Sequence, residues 1–152
     1  MLRTDMKDPG KSNNAYAFKG DQASLAGGSS GWPTGWTFED GVIEDIPLWQ
    51  GLNSHGGRNY LFQRNVIRRV PRAVFVTTSD GVRILENQLL DPITDIPRGG
   101  TDDVTAVSFG GIVGGSIDGN TISSKFTSGV KNIDPYVSRP SSGVVIGTNP
   151  IV

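Results

Sequence analysis

The sequence predicts an all-β protein: a single sandwich or jelly-roll-like domain of short strands with an extended N-terminal arm. Glycine and proline, 21 and 9 of the 152 residues, divide the chain from end to end into short runs. About seven or eight of these runs are β-branched or aromatic and recur at the spacing typical of sandwiches and barrels. The one candidate helix, residues 59–70, has apolar positions that fit neither period, and we favour strand there.

Composition divides the chain into three parts. Residues 1–31 hold few large apolar groups and predict an arm that is flexible or is ordered by a partner. Residues 32–126 carry most of the strand-like runs and form the predicted sandwich domain. Residues 127–152 are rich in Gly, Ser and Pro, with one possible strand at residues 144–146.

Two β-hairpins are expected inside the domain. The first joins residues 73–78 to residues 82–86 through Ser79-Asp80-Gly81, and the second turns at Asp118-Gly119-Asn120. Asp-Gly between such runs indicates a hairpin because glycine adopts a positive φ without a Cβ clash. The glycine cluster at residues 110–115 predicts tight bends, or a place where another stretch of backbone comes close.

Charge and composition narrow the possible partners. The formal net charge is −1, which argues against nucleic acid as a partner. No apolar run approaches the ~20 residues that span a bilayer, and the first residues do not resemble a signal peptide, so we expect no membrane partner. We expect the protein to be made in the cytoplasm of its host cell.

Few residues have the chemistry of a catalyst. There is no cysteine, and the one histidine, His55, lies in a glycine-rich stretch that predicts a loop without a catalytic role. Acidic residues cluster at 39–45 and 91–103 without the spacing of a glycosidase pair or a calcium loop. We therefore predict no catalytic residue, no metal ligand and no cofactor, with a carboxylate-based hydrolase as a remaining alternative.

Arginine and tryptophan are the best candidates for contacts with a partner. Six arginines lie within residues 58–83, and guanidinium groups suit bidentate pairing with carboxylates or phosphates. They could pair within the chain, pair with a neighbouring subunit, or bind nucleic acid. The three tryptophans suit a core, an interface or a sugar-stacking platform. The predicted interface residues are Tyr16, Phe18, Trp32, Trp36, Trp49, Arg64, Arg68, Arg69 and Arg72.

The chain lacks cysteine, has β-rich runs and a near-neutral charge, and carries a glycine-rich arm before the first aromatic segment. In these features it resembles small virion structural proteins of tailed bacteriophages, of the head decoration or cement type. The resemblance implies a non-enzymatic protein that binds and stabilises a capsid. Its partners would be copies of itself and a major capsid or other virion protein, and its location would be the virion. A tail, neck or fibre-attachment subunit and a carbohydrate-binding module that uses the tryptophans are the alternatives.

Overall fold

A computed structural model describes residues 16–21, 34–47, 50–95, 104–134 and 139–152, of which residues 16–21 are described by their backbone. These residues form strands and contain no α-helix. The strands are β1 (Tyr16–Asp21), β2 (Thr37–Glu39), β3 (Val42–Glu44), β4 (Gln50–Arg58), β5 (Leu61–Gln63), β6 (Val66–Arg68), β7 (Arg72–Leu85), β8 (Gln88–Leu90), β9 (Thr105–Gly110), β10 (Val113–Asp118), β11 (Thr121–Ile122), β12 (Ser128–Asn132) and β13 (Ser142–Ile146).

Every described strand pairing is parallel, and the strands form three ladders. The first ladder runs β2, β5, the second half of β7, β10 and β13. The second runs β3, β6, β8 and β11. The third runs β1, β4, the first half of β7, β9 and β12. Because each ladder follows chain order, the chain winds as a parallel β-solenoid in which each coil stacks on the one before it.

The predicted sandwich or jelly roll is therefore wrong. Both of those folds are built from antiparallel strands, whereas here one nine-stranded and one four-stranded sheet are wholly parallel in the described residues. Parallel sheets of this kind are typical of α/β proteins, where helices make the crossovers. In this chain the strands of the other two ladders return the chain to the start of the next coil, so a parallel sheet forms without helices.

Both predicted hairpins are also wrong. Residues 79–81 lie inside β7, which continues through them and changes ladder: Val76 pairs with Phe109, whereas Ile84 pairs with Ile117. The Asp118-Gly119-Asn120 segment likewise connects β10 in the first ladder to β11 in the second. Positive φ at a turn is required at a solenoid corner as well as in a hairpin, so Asp-Gly alone does not distinguish them.

Two local expectations are confirmed, at residues 59–70 and 144–146. Residues 59–70 are strand rather than helix, divided into β5 and β6 by a corner at Arg64 and Asn65. The predicted last strand at residues 144–146 is confirmed as part of β13. The predicted arm contains β1, and the predicted C-terminal segment contains β12 and β13. All three strands pair with strands of residues 32–126.

Apolar side chains form columns along the solenoid, one position in each coil. The first ladder aligns Phe38, Phe62, Ile84, Ile117 and Ile146. The second aligns Ile43, Ile67, Leu89, Ile122 and Ile151. The third aligns Leu52, Val74, Val107 and Val130. In the middle coils these side chains are buried and form a single core.

A stack of asparagines, Asn65, Asn87, Asn120 and Asn149, marks the corner between the first and second ladders, which we call the asparagine corner. The Asn87 Oδ1 accepts hydrogen bonds from the backbone N–H and the Nδ2 of Asn65, both at 3.0 Å. The Asn87 Nδ2 donates to the Phe62 carbonyl and to the Asn120 Oδ1. The same pattern repeats one coil further on. These amides satisfy backbone groups that the bend removes from the ladders.

Candidate functional site

The predicted arginine cluster pairs within the chain. Arg64 donates to both oxygens of Asp40 at 2.7 Å and to Glu39 at 3.2 Å. The coil-to-coil stacking brings these residues together, because β5 lies beside β2 in the first ladder. Of the three interpretations of the arginines, pairing within the chain is thus the one observed for Arg64.

Arg68 and Arg69 make a second network where β3 and β6 of the second ladder end. Both donate to Glu44, whose side chain is 5% exposed, and Arg69 also binds Asp45 at 2.6 Å. The hydrogen bond that Arg68 donates to Glu44 holds the pKa of Glu44 below its usual range, and the hydrogen bonds that Arg69 donates to Asp45 raise the pKa of Arg69. The acidic residues at 39–45 therefore act as counter-ions for the next coil.

Arg72 lies on the third ladder, apart from the other arginines of the cluster. Its guanidinium lies 4.8 Å from the centre of the Phe75 ring, a cation–π distance. His55 contacts the same ring at 5.4 Å between centroids, and its Nδ1 lies 2.6 Å from the Thr77 hydroxyl. The predicted loop position of His55 is wrong, since it lies within β4, because the surrounding glycines occupy a strand.

The aromatic residues of the predicted interface are only partly described. Trp36 is exposed and packs against Tyr60, with ring centroids 6.2 Å apart. Trp32 and Trp49 lie outside the described residues, as do the side chains of Tyr16 and Phe18. The described residues therefore place Trp36 on the solenoid but leave the role of the tryptophan set as a prediction.

Asp134 ties the corner before the last coil to the solenoid. It accepts hydrogen bonds from the Gly111 and Ser141 N–H groups and from the Ser141 hydroxyl at 2.7–2.9 Å. Burial acts to raise the pKa of Asp134, but these hydrogen bonds outweigh it and hold the pKa at about 2. Arg139 adds contacts to the Gly111 carbonyl and to Asp80. The last coil is thus held by a charged anchor.

The C-terminal coil, residues 142–152, carries the candidate functional site. Ile117 and Ile122 are each 1% exposed in the preceding coil, whereas their column neighbours Ile146 and Ile151 are 52% and 59% exposed. The same positions therefore face solvent only because no described coil stacks on them. Val145 and Val152 add further exposed apolar surface. Among the described residues, nothing covers the core of the solenoid beyond this coil, and we call it the open coil.

The edge strand of this coil carries no charged side chain. Edge strands of soluble proteins commonly carry charged residues or bulges that prevent pairing with another chain. Residues 140–152 contain no Asp, Glu, Lys or Arg, and β13 pairs only with β10 among the described strands. The site therefore combines free backbone donors and acceptors with exposed apolar side chains.

Within the described ranges, no group of three or more His, Cys, Asp or Glu residues could hold a metal ion. No helix among them is long and apolar enough to cross a membrane. No family model, curated protein or solved structure matches the chain.

Sequence reasoning missed the C-terminal coil as a site and the asparagine corner that organises the fold. The signal that could have found both is a variable-length repeat. Each corner asparagine has an apolar residue three positions before it and another two positions after it, as in Phe62, Asn65 and Ile67. The spacings between successive asparagines are 22, 33 and 29 residues, so a search for a constant period does not reveal them.

Proposed function

We propose that this protein is a non-enzymatic structural subunit that binds and stabilises a larger assembly, in the manner of virion decoration proteins. The observation that carries the proposal is the open core at the C-terminal coil, where Ile146 and Ile151 are exposed at positions that the middle coils bury. Repeat proteins need terminal repeats with a polar outer face to remain soluble. A coil without one is suited to contact with another protein.

The gain from covering this coil can be put in numbers. Completing the burial of Ile146, Ile151 and Val152, which are all more than half exposed, contributes about 1 kcal/mol each, or about 3 kcal/mol together. Association of two free molecules costs an estimated 4–15 kcal/mol, so the side chains alone do not hold a complex. Backbone pairing along β13 and repetition over many copies in an assembly would add the rest.

The intrachain ion pairs support the same role. Arg64, Arg68 and Arg69 already have carboxylate partners, so the flank of the solenoid has few unpaired charges for a nucleic acid. Partners under this proposal are copies of the chain and a major capsid or other virion protein, and the location is the virion. Attachment at a tail or fibre would use the same open coil.

The test is incorporation into particles. In a culture that produces the protein, we expect it to band with particles in a density gradient, at a fixed ratio to the main shell protein. Ile151→Asp should leave it in the soluble fraction, whereas Val113→Asp, at an exposed valine of β10, should not. Wild-type protein that stays soluble beside abundant particles would contradict the proposal. A change in tryptophan fluorescence on titration with sugars would favour the carbohydrate-binding alternative instead.

A further inference from the structure

We propose that the partner at the open coil is a second copy of this chain, joined tail to tail so that β13 pairs antiparallel with its symmetry mate. This inference rests on the proposed structural role and names its partner. A two-fold axis perpendicular to the first ladder would bring the edge of β13 (Ser142–Ile146) against the same edge of the other copy. Such isologous contact is the commonest form of self-association, and it closes after two subunits.

The chemistry of the coil is self-complementary. Residues 140–152 carry no charged side chain, so two copies can approach without repulsion between like charges. The exposed ends of the first and second core columns, Ile146 and Ile151, would be withdrawn from water in both copies at once. An edge strand presents N–H and C=O groups alternately, and an antiparallel mate satisfies both kinds.

The opposite end of the solenoid does not fit this coil. Its described surface carries Glu39, Asp40 and Asp45, whose side chains are 46%, 62% and 51% exposed. These carboxylates pair with Arg64 and Arg69 of the next coil, so a head-to-tail stack would set a charged rim beside the uncharged side chains of residues 140–152, whereas a tail-to-tail pair joins two uncharged coils.

The asparagine corner gives a second reason against head-to-tail stacking. Each corner asparagine accepts from the backbone N–H of the coil before it, as Asn149 Oδ1 does from Asn120. The first described coil has Gly41 at this position, and Gly41 has no side-chain oxygen to accept from Asn149 of another copy. The corner therefore cannot continue from the tail of one copy into the head of the next. Tail to tail is therefore the favoured arrangement at the open coil.

The experiment uses purified full-length chain in sedimentation velocity over a concentration series from 1 to 200 μM. We expect wild-type protein to pass from monomer to dimer within this series, with no larger species. Ile146→Lys should shift the midpoint at least tenfold to higher concentration with an unchanged circular dichroism spectrum. The matched control Val113→Lys should dimerise like wild type. Wild-type protein that stays monomeric throughout, or a dimer that Ile146→Lys does not weaken, would overturn the inference.

Crosslinking determines the orientation and does not depend on the folding of the lysine variant. The chain has no cysteine, so a single one can be placed at either end. Val145→Cys chains should crosslink with each other, whereas Thr37→Cys chains on β2 should not. Crosslinks that form only in a mixture of the two variants would indicate head-to-tail stacking and overturn the inference. A monomeric protein that still bands with particles would reject the second copy as partner while leaving the structural role standing.

Discussion

Replacement of Asn87 by alanine tests whether the asparagine corner holds the solenoid together. The Asn87 side chain is fully buried and takes part in four hydrogen bonds, to Asn65, Phe62 and Asn120. A hydrogen bond contributes a net ~1 kcal/mol, and a buried donor left unpaired costs ~1–3 kcal/mol. We therefore expect Asn87→Ala to lower the free energy of unfolding by about 4 kcal/mol.

Asn149 supplies a matched control at the half-buried end of the same corner. Its side chain also takes part in four hydrogen bonds, but water can reach this coil and replace them. Asn149→Ala should therefore cost only about 1 kcal/mol. The assay is urea unfolding followed by circular dichroism, with the slope m compared between variants. With m near ~2 kcal/mol/M, the Asn87 variant should lose about 2 M in its midpoint.

A third variant separates the donor from the acceptor. Asn87→Asp keeps the oxygen that Asn65 uses but presents a second oxygen to the Phe62 carbonyl. Burial should raise the pKa of this new carboxyl. The loss of unfolding free energy in Asn87→Asp, relative to wild type, should therefore grow as pH rises through that pKa. The loss should shrink in acid, where the protonated carboxyl donates as the amide did. Equal losses for Asn87→Ala and Asn149→Ala, or a loss below ~1 kcal/mol for Asn87→Ala, would refute the reasoning.

Two further predictions follow from single contacts. At Gly115, with φ of +117°, a Cβ would overlap the Val82 carbonyl oxygen, whereas at Gly114, with φ of +66°, it would meet nothing within 4 Å. Gly115→Ala should therefore prevent stable folding, whereas Gly114→Ala should lower the free energy of unfolding by about 1 kcal/mol. Thermal melts of the two variants test this contrast, and similar melting temperatures would contradict it. Asp134, with its pKa lowered from 3.8 to about 2, should add stability in full above pH ~4 and lose it as pH falls through about 2. The stability difference between wild type and Asp134→Ala should accordingly shrink in acid, and a pH-independent difference would show that the carboxylate charge is not the cause.

The sequence was informative about local structure. Runs such as residues 72–78 were recognisable as strand from their β-branched residues, and Gly110 to Gly115 as bends and close approaches from their composition. These properties depend on the backbone preferences of the residues themselves. Strand direction was not recognisable, because a parallel and an antiparallel partner demand the same alternation of side chains along a strand.

The candidate site was harder to predict from the sequence than the local structure was. A clustering of arginines is visible in the sequence, but the carboxylate partners of Arg64, Arg68 and Arg69 lie 24 or 25 residues earlier and are found only when the coils stack. In the sequence, Ile146 and Ile151 have the pattern of an ordinary strand and tail. Their exposure depends on whether another coil covers them, which is a property of the stack.

By itself, then, the sequence determined that this chain forms short strands bent at glycine, aspartate and asparagine, with little titratable chemistry. The tertiary structure decided that the strands wind into a parallel solenoid, that the arginines neutralise the preceding coil, and that the core is open at residues 142–152. The physical reason is the distance along the sequence over which each kind of interaction acts. Backbone propensity acts over a few residues, whereas the strand pairings between coils join residues 22 to 34 positions apart at intervals that vary from coil to coil.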